Sequence, residues 1–266
     1  MTVSADTTQY QTLTVATEGV IGQVQLNRPA SLNAFNSGMR HELLQALTRL
    51  SEDDNVRVVV LGAVGKAFCS GADLAEGLPV EITVEQQILD EYAPILQQIA
   101  QMQKPVIAAV NGVMAGIGAS LAMQCDLMVM SDSAQLGMAF TNIGLVPDGG
   151  ACWHLLRYMG YQRAYQLIAE GGRLSAQECQ QLGIANRLVP ADDVNRVALE
   201  WAESLAQRAP VALREVKALL RRAASQSWEQ TVVQEAKVQQ RCASTEDARE
   251  AVTAFMQKRA PVFVGR

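Results

Sequence analysis

Two glycine-rich segments carry the residue types from which an anion-stabilising site can be made. The first is Gly65-Lys66-Ala67-Phe68-Cys69-Ser70-Gly71-Ala72-Asp73-Leu74. The second is Asn111-Gly112-Val113-Met114-Ala115-Gly116-Ile117-Gly118-Ala119-Ser120. Small residues let backbone approach a ligand closely, and glycine permits dihedrals closed to other residues. The second segment opens a helix, whose first N–H groups are unpaired and lie at the positive end of its dipole. If each segment offers one N–H to the same oxygen, the pair forms an oxyanion hole. Such a hole suits a thioester whose α-carbon loses a proton, because the charge then collects on the carbonyl oxygen. Each segment also has a plainer reading, the first as a strand-to-helix loop and the second as a small-residue face for close helix packing. A dinucleotide loop is set aside, since Gly112, Gly116 and Gly118 are spaced G-x-x-x-G-x-G rather than G-x-G-x-x-G.

Asp148 is a third candidate. It sits between Pro147 and Gly149-Gly150, where residue types alone suggest a turn or helix-capping aspartate. Asp73 is equally suited to fixing a turn through its own backbone.

The elements that must position these residues alternate. Leu13–Thr17 and Val20–Leu26 flank the turn pair Glu18-Gly19 and read as a hairpin. Ser37 caps an expected helix to about Leu50, with Met39, Leu43, Leu44, Leu47 and Leu50 at helical spacing. Val56–Ala63 and Pro105–Val110 read as buried strands ahead of the two glycine-rich segments, and residues 126–131 and 134–137 as further short strands. Thr83-x-x-Gln86 is a capping box for a helix to about Met102, with Pro94 as a candidate kink. Strand–helix–strand alternation argues for an α/β core with parallel pairing. From about Pro190 four helical segments follow, at 191–208, 211–224, 227–242 and 244–258, packed on the core or on a neighbouring subunit. The division is a core of residues 1–190 and a helical region of residues 191–266.

Composition narrows the function. The 266 residues are 49% hydrophobic and carry a formal net charge of −5, which argues against a nucleic-acid partner held by a basic surface. Five scattered cysteines and two histidines, His41 and His154, give no framework for a metal site and suit a reducing compartment. The opening M-T-V-S-A-D-T-T-Q-Y lacks the basic and apolar runs of a secretory signal. The most apolar stretch, 113–123, is too short to span a bilayer. The expected location is the cytoplasm, without a membrane partner.

Four motifs in order, N-R-P-A-S-L-N-A-F (Asn27–Phe35), G-K-A-F-C-S-G-A-D-L (Gly65–Leu74), K-P-V-I-A-A-V-N-G (Lys104–Gly112) and G-L-V-P-D-G-G (Gly144–Gly150), resemble those of the crotonase (enoyl-CoA hydratase/isomerase) family over about residues 10 to 258. The resemblance implies a spiral of βαβ-like units with a C-terminal helical region that supports trimers, often paired into hexamers, and closes the active site. It implies an acyl-CoA thioester as substrate, with no separate cofactor because coenzyme A is part of that substrate. The N–H groups of Ala72 and Ile117 fall where the family forms its oxyanion hole, with Gly116 immediately before the second. Arg28, Ser31, Gly71, Ala72, Asp73 and Leu74 fall where it grips the adenine and pantetheine. Phe255 and Lys258 resemble positions that contact the nucleotide end, in some members across a subunit interface.

Hydratases of the family carry two catalytic glutamates, at the positions of Ser120 and Phe140 here. Neither residue ionises near neutral pH. Phe140, with Ile143, instead suits an apolar acyl pocket that would raise the pKa of Asp148. By position Asp148 resembles the acidic residue of isomerase members, which needs only one carboxylate for an allylic proton shift. Glu76, Glu81, Asp90 and Glu91 read as solvated charges. Three functions follow: an isomerase using Asp148, a hydratase, and an acyl-CoA-binding homologue without turnover.

Overall fold

A computed structural model describes residues 10–77 and 80–266. The segment read for a secretory signal lies outside them, apart from Tyr10, as do Leu78 and Pro79 of the loop after Asp73.

The hairpin forms from β1 (Leu13–Glu18) and β2 (Ile21–Leu26), with Gly19 at φ +58° in the turn. Then follow α1 (Ser37–Glu52), β3 (Val58–Ala63), β4 (Ala67–Cys69), α2 (Val84–Gln87), α3 (Ala93–Gln101), β5 (Val106–Val110), β6 (Val113–Ala115) and α4 (Ile117–Gln124). The chain continues through β7 (Leu127–Ser131), β8 (Gln135–Gly137), α5 (Ala151–Ala169), β9 (Arg173–Ser175), α6 (Ala176–Gln181) and β10 (Arg187–Val189). It ends in α7 (Val194–Ala206), α8 (Pro210–Ala223), α9 (Trp228–Ala243) and α10 (Glu246–Gln257).

A six-stranded sheet has the order β1-β2-β3-β5-β7-β10, parallel from β2 onward, and a four-stranded sheet has the order β4-β6-β8-β9. Each of β3, β5 and β7 is followed within a few residues by a strand of the second sheet, which gives the chain its spiral path. Gly112 makes one of these corners: a Cβ there would lie 2.1 Å from the Lys66 carbonyl oxygen.

β3 and β5 are buried throughout because both faces of the sheet are covered. Val59, Leu61, Val106 and Ala108 enter the larger core with Leu43 and Leu47 of α1 and Ile95 and Ile99 of α3. Val58, Val60, Ile107 and Ala109 face the opposite way, onto Val194, Ala198, Ala202 and Ala206 at four-residue intervals along α7. The region after Pro190 therefore begins with a helix that covers the sheet. The rest is tied to the core by Lys217 and Arg221 of α8, which pair with Asp126 at 2.7 and 3.1 Å.

Two local readings change and one holds. Asn36, not Ser37, caps α1, its side chain accepting from the Met39 N–H at 2.9 Å. The capping box at Thr83 and Gln86 is made by both reciprocal bonds. The helix it opens passes through a wide π turn at Ile88–Tyr92 just before Pro94, whose ring has no N–H to donate.

Candidate active site

Residues 28–35 fold against the first glycine-rich segment. Asn33 is wholly buried in the left-handed region, at φ +55°. Its amide donates to the carbonyls of Val64 (3.0 Å) and Ala67 (2.8 Å), and its oxygen accepts from the Arg28 N–H at 2.7 Å. The Arg28 guanidinium donates to Asp73 at 2.8 Å and to the Ala34 carbonyl, and the bond to Arg28 holds the Asp73 carboxyl below its usual range. Asp73 also accepts from the Ala75 N–H at 3.1 Å, opening the turn Leu74–Glu76. Ser31 bonds back to the Arg28 carbonyl, and Leu74 stands exposed.

Beneath this loop lies Arg40, 5% exposed. It pairs with Glu76 (3.1 Å) and Glu91, and donates to the Phe35 carbonyl at 3.3 Å. Burial works against its charge, but Tyr92, Glu91 and Glu76 outweigh that and hold it ionised. Glu76 and Glu91, read as solvated, are thus counterions of a buried cation. Arg40 falls on the Met39–Leu43–Leu47 stripe of α1, and that placement was the available signal.

Phe35 brackets Ala72: its N–H donates to the Gly71 carbonyl (2.8 Å) and its carbonyl accepts from Asp73 (2.9 Å). Among the described residues no protein acceptor takes the Ala72 N–H. In the second segment Gly116 gives its N–H to Gly137 and accepts from Ala119 and Ser120. Ile117 opens α4, and its N–H likewise meets no acceptor among the described residues. The segments touch at the residues just before these donors, since a Cβ on Gly116 would lie 3.5 Å from the Gly71 Cα. Phe140 is 9% exposed, and its ring lies 3.7 Å from the same Cβ position, whereas Ile143 is 54% exposed and turns outward.

Asp148 reaches this place through its glycine. Gly149, at φ +58°, packs so closely on α4 that a Cβ would meet the Ile117 Cδ1 at 2.3 Å and the Ser120 Cβ at 2.9 Å. The Ser120 hydroxyl, wholly buried, donates to the Asp148 carbonyl at 2.9 Å. The N-cap residue of α5 is Gly150, so Asp148 does not hold that position. Its Oδ1 is buried without a hydrogen-bond partner. Burial pushes the carboxyl up to about 6, against a smaller opposing effect of its own N–H. Burial likewise pushes the Tyr92 hydroxyl up to about 12, and the Asp148 charge adds to that push.

A cavity of about 530 Å³ adjoins the turn, lined by Ile88, Leu96, Gly149, Gly150, Trp153 and His154 among others. Burial, with Arg221 and Arg157 nearby, pulls the His154 pKa down to about 4, so the ring is neutral; its Nε2 lies 2.9 Å from Gln124 Oε1. Sequence reading missed this wall. Phe255 on α10 and Lys258 at the C-terminal cap of that helix are exposed, and α10 packs on α9.

Two N–H groups without protein acceptors and a desolvated carboxylate are the parts from which a site can be built that takes a proton from a carbon next to a carbonyl and holds the resulting oxyanion. Residues 16–266 match the enoyl-CoA hydratase/isomerase family model. A probable enoyl-CoA hydratase of Rhodobacter capsulatus is 37% identical over 257 residues, 97% of this chain and 99% of the relative. The 1,2-epoxyphenylacetyl-CoA isomerase of Escherichia coli is 34% identical over 91% of this chain and 94% of its own. The crystal structure of an enoyl-CoA hydratase subunit from Geobacillus kaustophilus superposes with a TM-score of 0.91 at 33% identity, covering 97% of this chain and all of that one. With that fold, and with relatives aligned over nearly their whole length, the chain belongs to the enoyl-CoA hydratase/isomerase family of the crotonase superfamily.

Proposed function

We propose that the protein is an enoyl-CoA isomerase in which Asp148 is the single base. The thioester oxygen sits between the N–H groups of Ala72 and Ile117. Asp148 takes a proton from C2 of a 3-enoyl-CoA, the electrons spread into a dienolate, and Asp148 returns the proton at C4, leaving the 2-enoyl-CoA. One carboxylate serves both transfers, so atoms and charge balance without water.

The observation that carries this reading is the buried, unpartnered Oδ1 of Asp148, in a turn whose Gly149 packs on α4. Ser120 and Phe140 supply no second acid. The acyl tail takes the cavity beyond Gly149, and the coenzyme runs along residues 28–31 and 71–74. Arg28 shapes that groove through its bond to Asp73. Phe255 and Lys258 reach the nucleotide from a neighbouring subunit of a homotrimer or a dimer of trimers in the cytoplasm.

The relative named as a hydratase favours water addition instead, with Asp148 handling the water. Supplying a trans-2-enoyl-CoA decides between the two. The isomerase forms no hydroxyacyl-CoA at a rate comparable to its turnover of the 3-enoyl-CoA. Hydroxyacyl-CoA formation undiminished in Asp148→Asn would reject the isomerase. Tight binding of acyl-CoA esters without turnover of any would leave a binding protein.

A further inference from the structure

Ser120 has no part in the proton shift as written, yet its hydroxyl is wholly buried and committed to one acceptor. We infer that Ser120 is a positioning residue: its bond to the Asp148 carbonyl fixes the catalytic turn on α4 and so sets where the carboxylate stands relative to the Ile117 N–H. This rests on the isomerase reading of Asp148.

The Asp148 peptide is held from two sides. The Ser120 hydroxyl donates to its carbonyl at 2.9 Å, and the Ala151 N–H donates to the same oxygen at 3.1 Å. The bond from Ala151 is local to the turn and travels with α5. The bond from Ser120 bridges 28 residues and is the hydrogen bond that ties the turn to the helix carrying the oxyanion donor. Gly149 closes the gap, within contact of both Ile117 and Ser120. With the carbonyl pinned, the carboxylate keeps only its two side-chain torsions, and its Oδ1 stays buried. A donor at 120 thus acts through the backbone of Asp148 and never meets substrate.

The test compares Ser120→Ala and Ser120→Cys with wild type. Alanine underfills the site and the larger sulfur of cysteine fills it, while neither donates as a hydroxyl does, so the pair separates packing from the hydrogen bond. Three quantities are read on the folded fraction: kcat, KM, and the pH midpoint of C2 proton exchange of a saturated acyl-CoA in deuterated buffer. Exchange reports the base whatever the net reaction. Both variants should lose kcat on the order of 10- to 100-fold, the penalty of a small misplacement, while KM changes less than about twofold. The exchange midpoint should fall from about 6 toward the ordinary carboxylate range as Asp148 relaxes into water. Wild-type kcat and midpoint in the cysteine variant would overturn the inference, as would a lowered melting temperature with both quantities unchanged in the alanine variant. If Asp148→Asn exchanges and isomerises as wild type, the reading of Asp148 fails instead, independently of Ser120.

Discussion

Gly71 and Gly116 meet closely enough that a Cβ on Gly116 would stand 3.5 Å from the Gly71 Cα, and each glycine immediately precedes one of the free N–H groups. The contact registers two donors from loops 45 residues apart in the chain. Gly116 takes φ +54° and ψ −132°, a conformation a side chain resists, although the neighbouring atoms lie at ordinary contact distances. Gly116→Ala should therefore strain the backbone more than it crowds the site. Turnover is expected to fall on the order of 100-fold, as for loss of one oxyanion donor, with acyl-CoA affinity nearly kept. Steady-state kinetics and a binding titration check this.

Gly149 and Gly19 form a matched pair, both at φ +58°. Nothing lies within 4 Å of a Cβ on Gly19, whereas one on Gly149 strikes Ile117 and Ser120. Gly19→Ala should cost about 1–2 kcal/mol of stability, the backbone penalty alone. Gly149→Ala should cost about 1–3 kcal/mol more through overpacking and should also lose activity. Denaturant unfolding of the two variants gives the difference directly.

The pH–rate profile follows from the burial of Asp148. The base must be ionised to accept a proton, so kcat/KM should rise with pH through a midpoint of about 6. A midpoint near 4 would mean that the carboxylate is solvated.

The same desolvation has a stability consequence. A carboxyl raised from 3.8 to about 6 favours the protonated native state, so stability is fully present below the unfolded pKa and is lost as pH rises through the folded one. Asp148→Asn removes that loss. The variant should be more stable than wild type by up to about 2–3 kcal/mol at pH 8, with the difference vanishing toward pH 3. Thermal melts across pH measure it.

Much of this was legible in the chain. The hydrophobic runs located β3 and β5, and the glycines and small residues marked the loops that follow them. The ordered motifs led to the expectation that Ala72, Ile117 and Asp148 share one site. What stayed hidden depends on tertiary neighbours. Glu76 and Glu91 look like surface charges until Arg40 is found buried between them. Ser120 looks like a mere absence of glutamate until its hydroxyl meets the Asp148 carbonyl. Trp153 and His154 belong to a cavity wall assembled from α3, α4, α5 and α8, elements far apart in the chain. The strands β4, β6 and β9 span three residues each, too short for periodicity to register.

The most direct test of the account is turnover of a trans-3-enoyl-CoA by wild type and Asp148→Asn, with the conjugated 2-enoyl-CoA as the product measured. The amide keeps the shape of the side chain but cannot accept the proton. Isomerisation by wild type, reduced at least on the order of 1,000-fold in the variant while the variant still binds acyl-CoA, is the predicted result. Isomerisation at the wild-type rate by Asp148→Asn would contradict it.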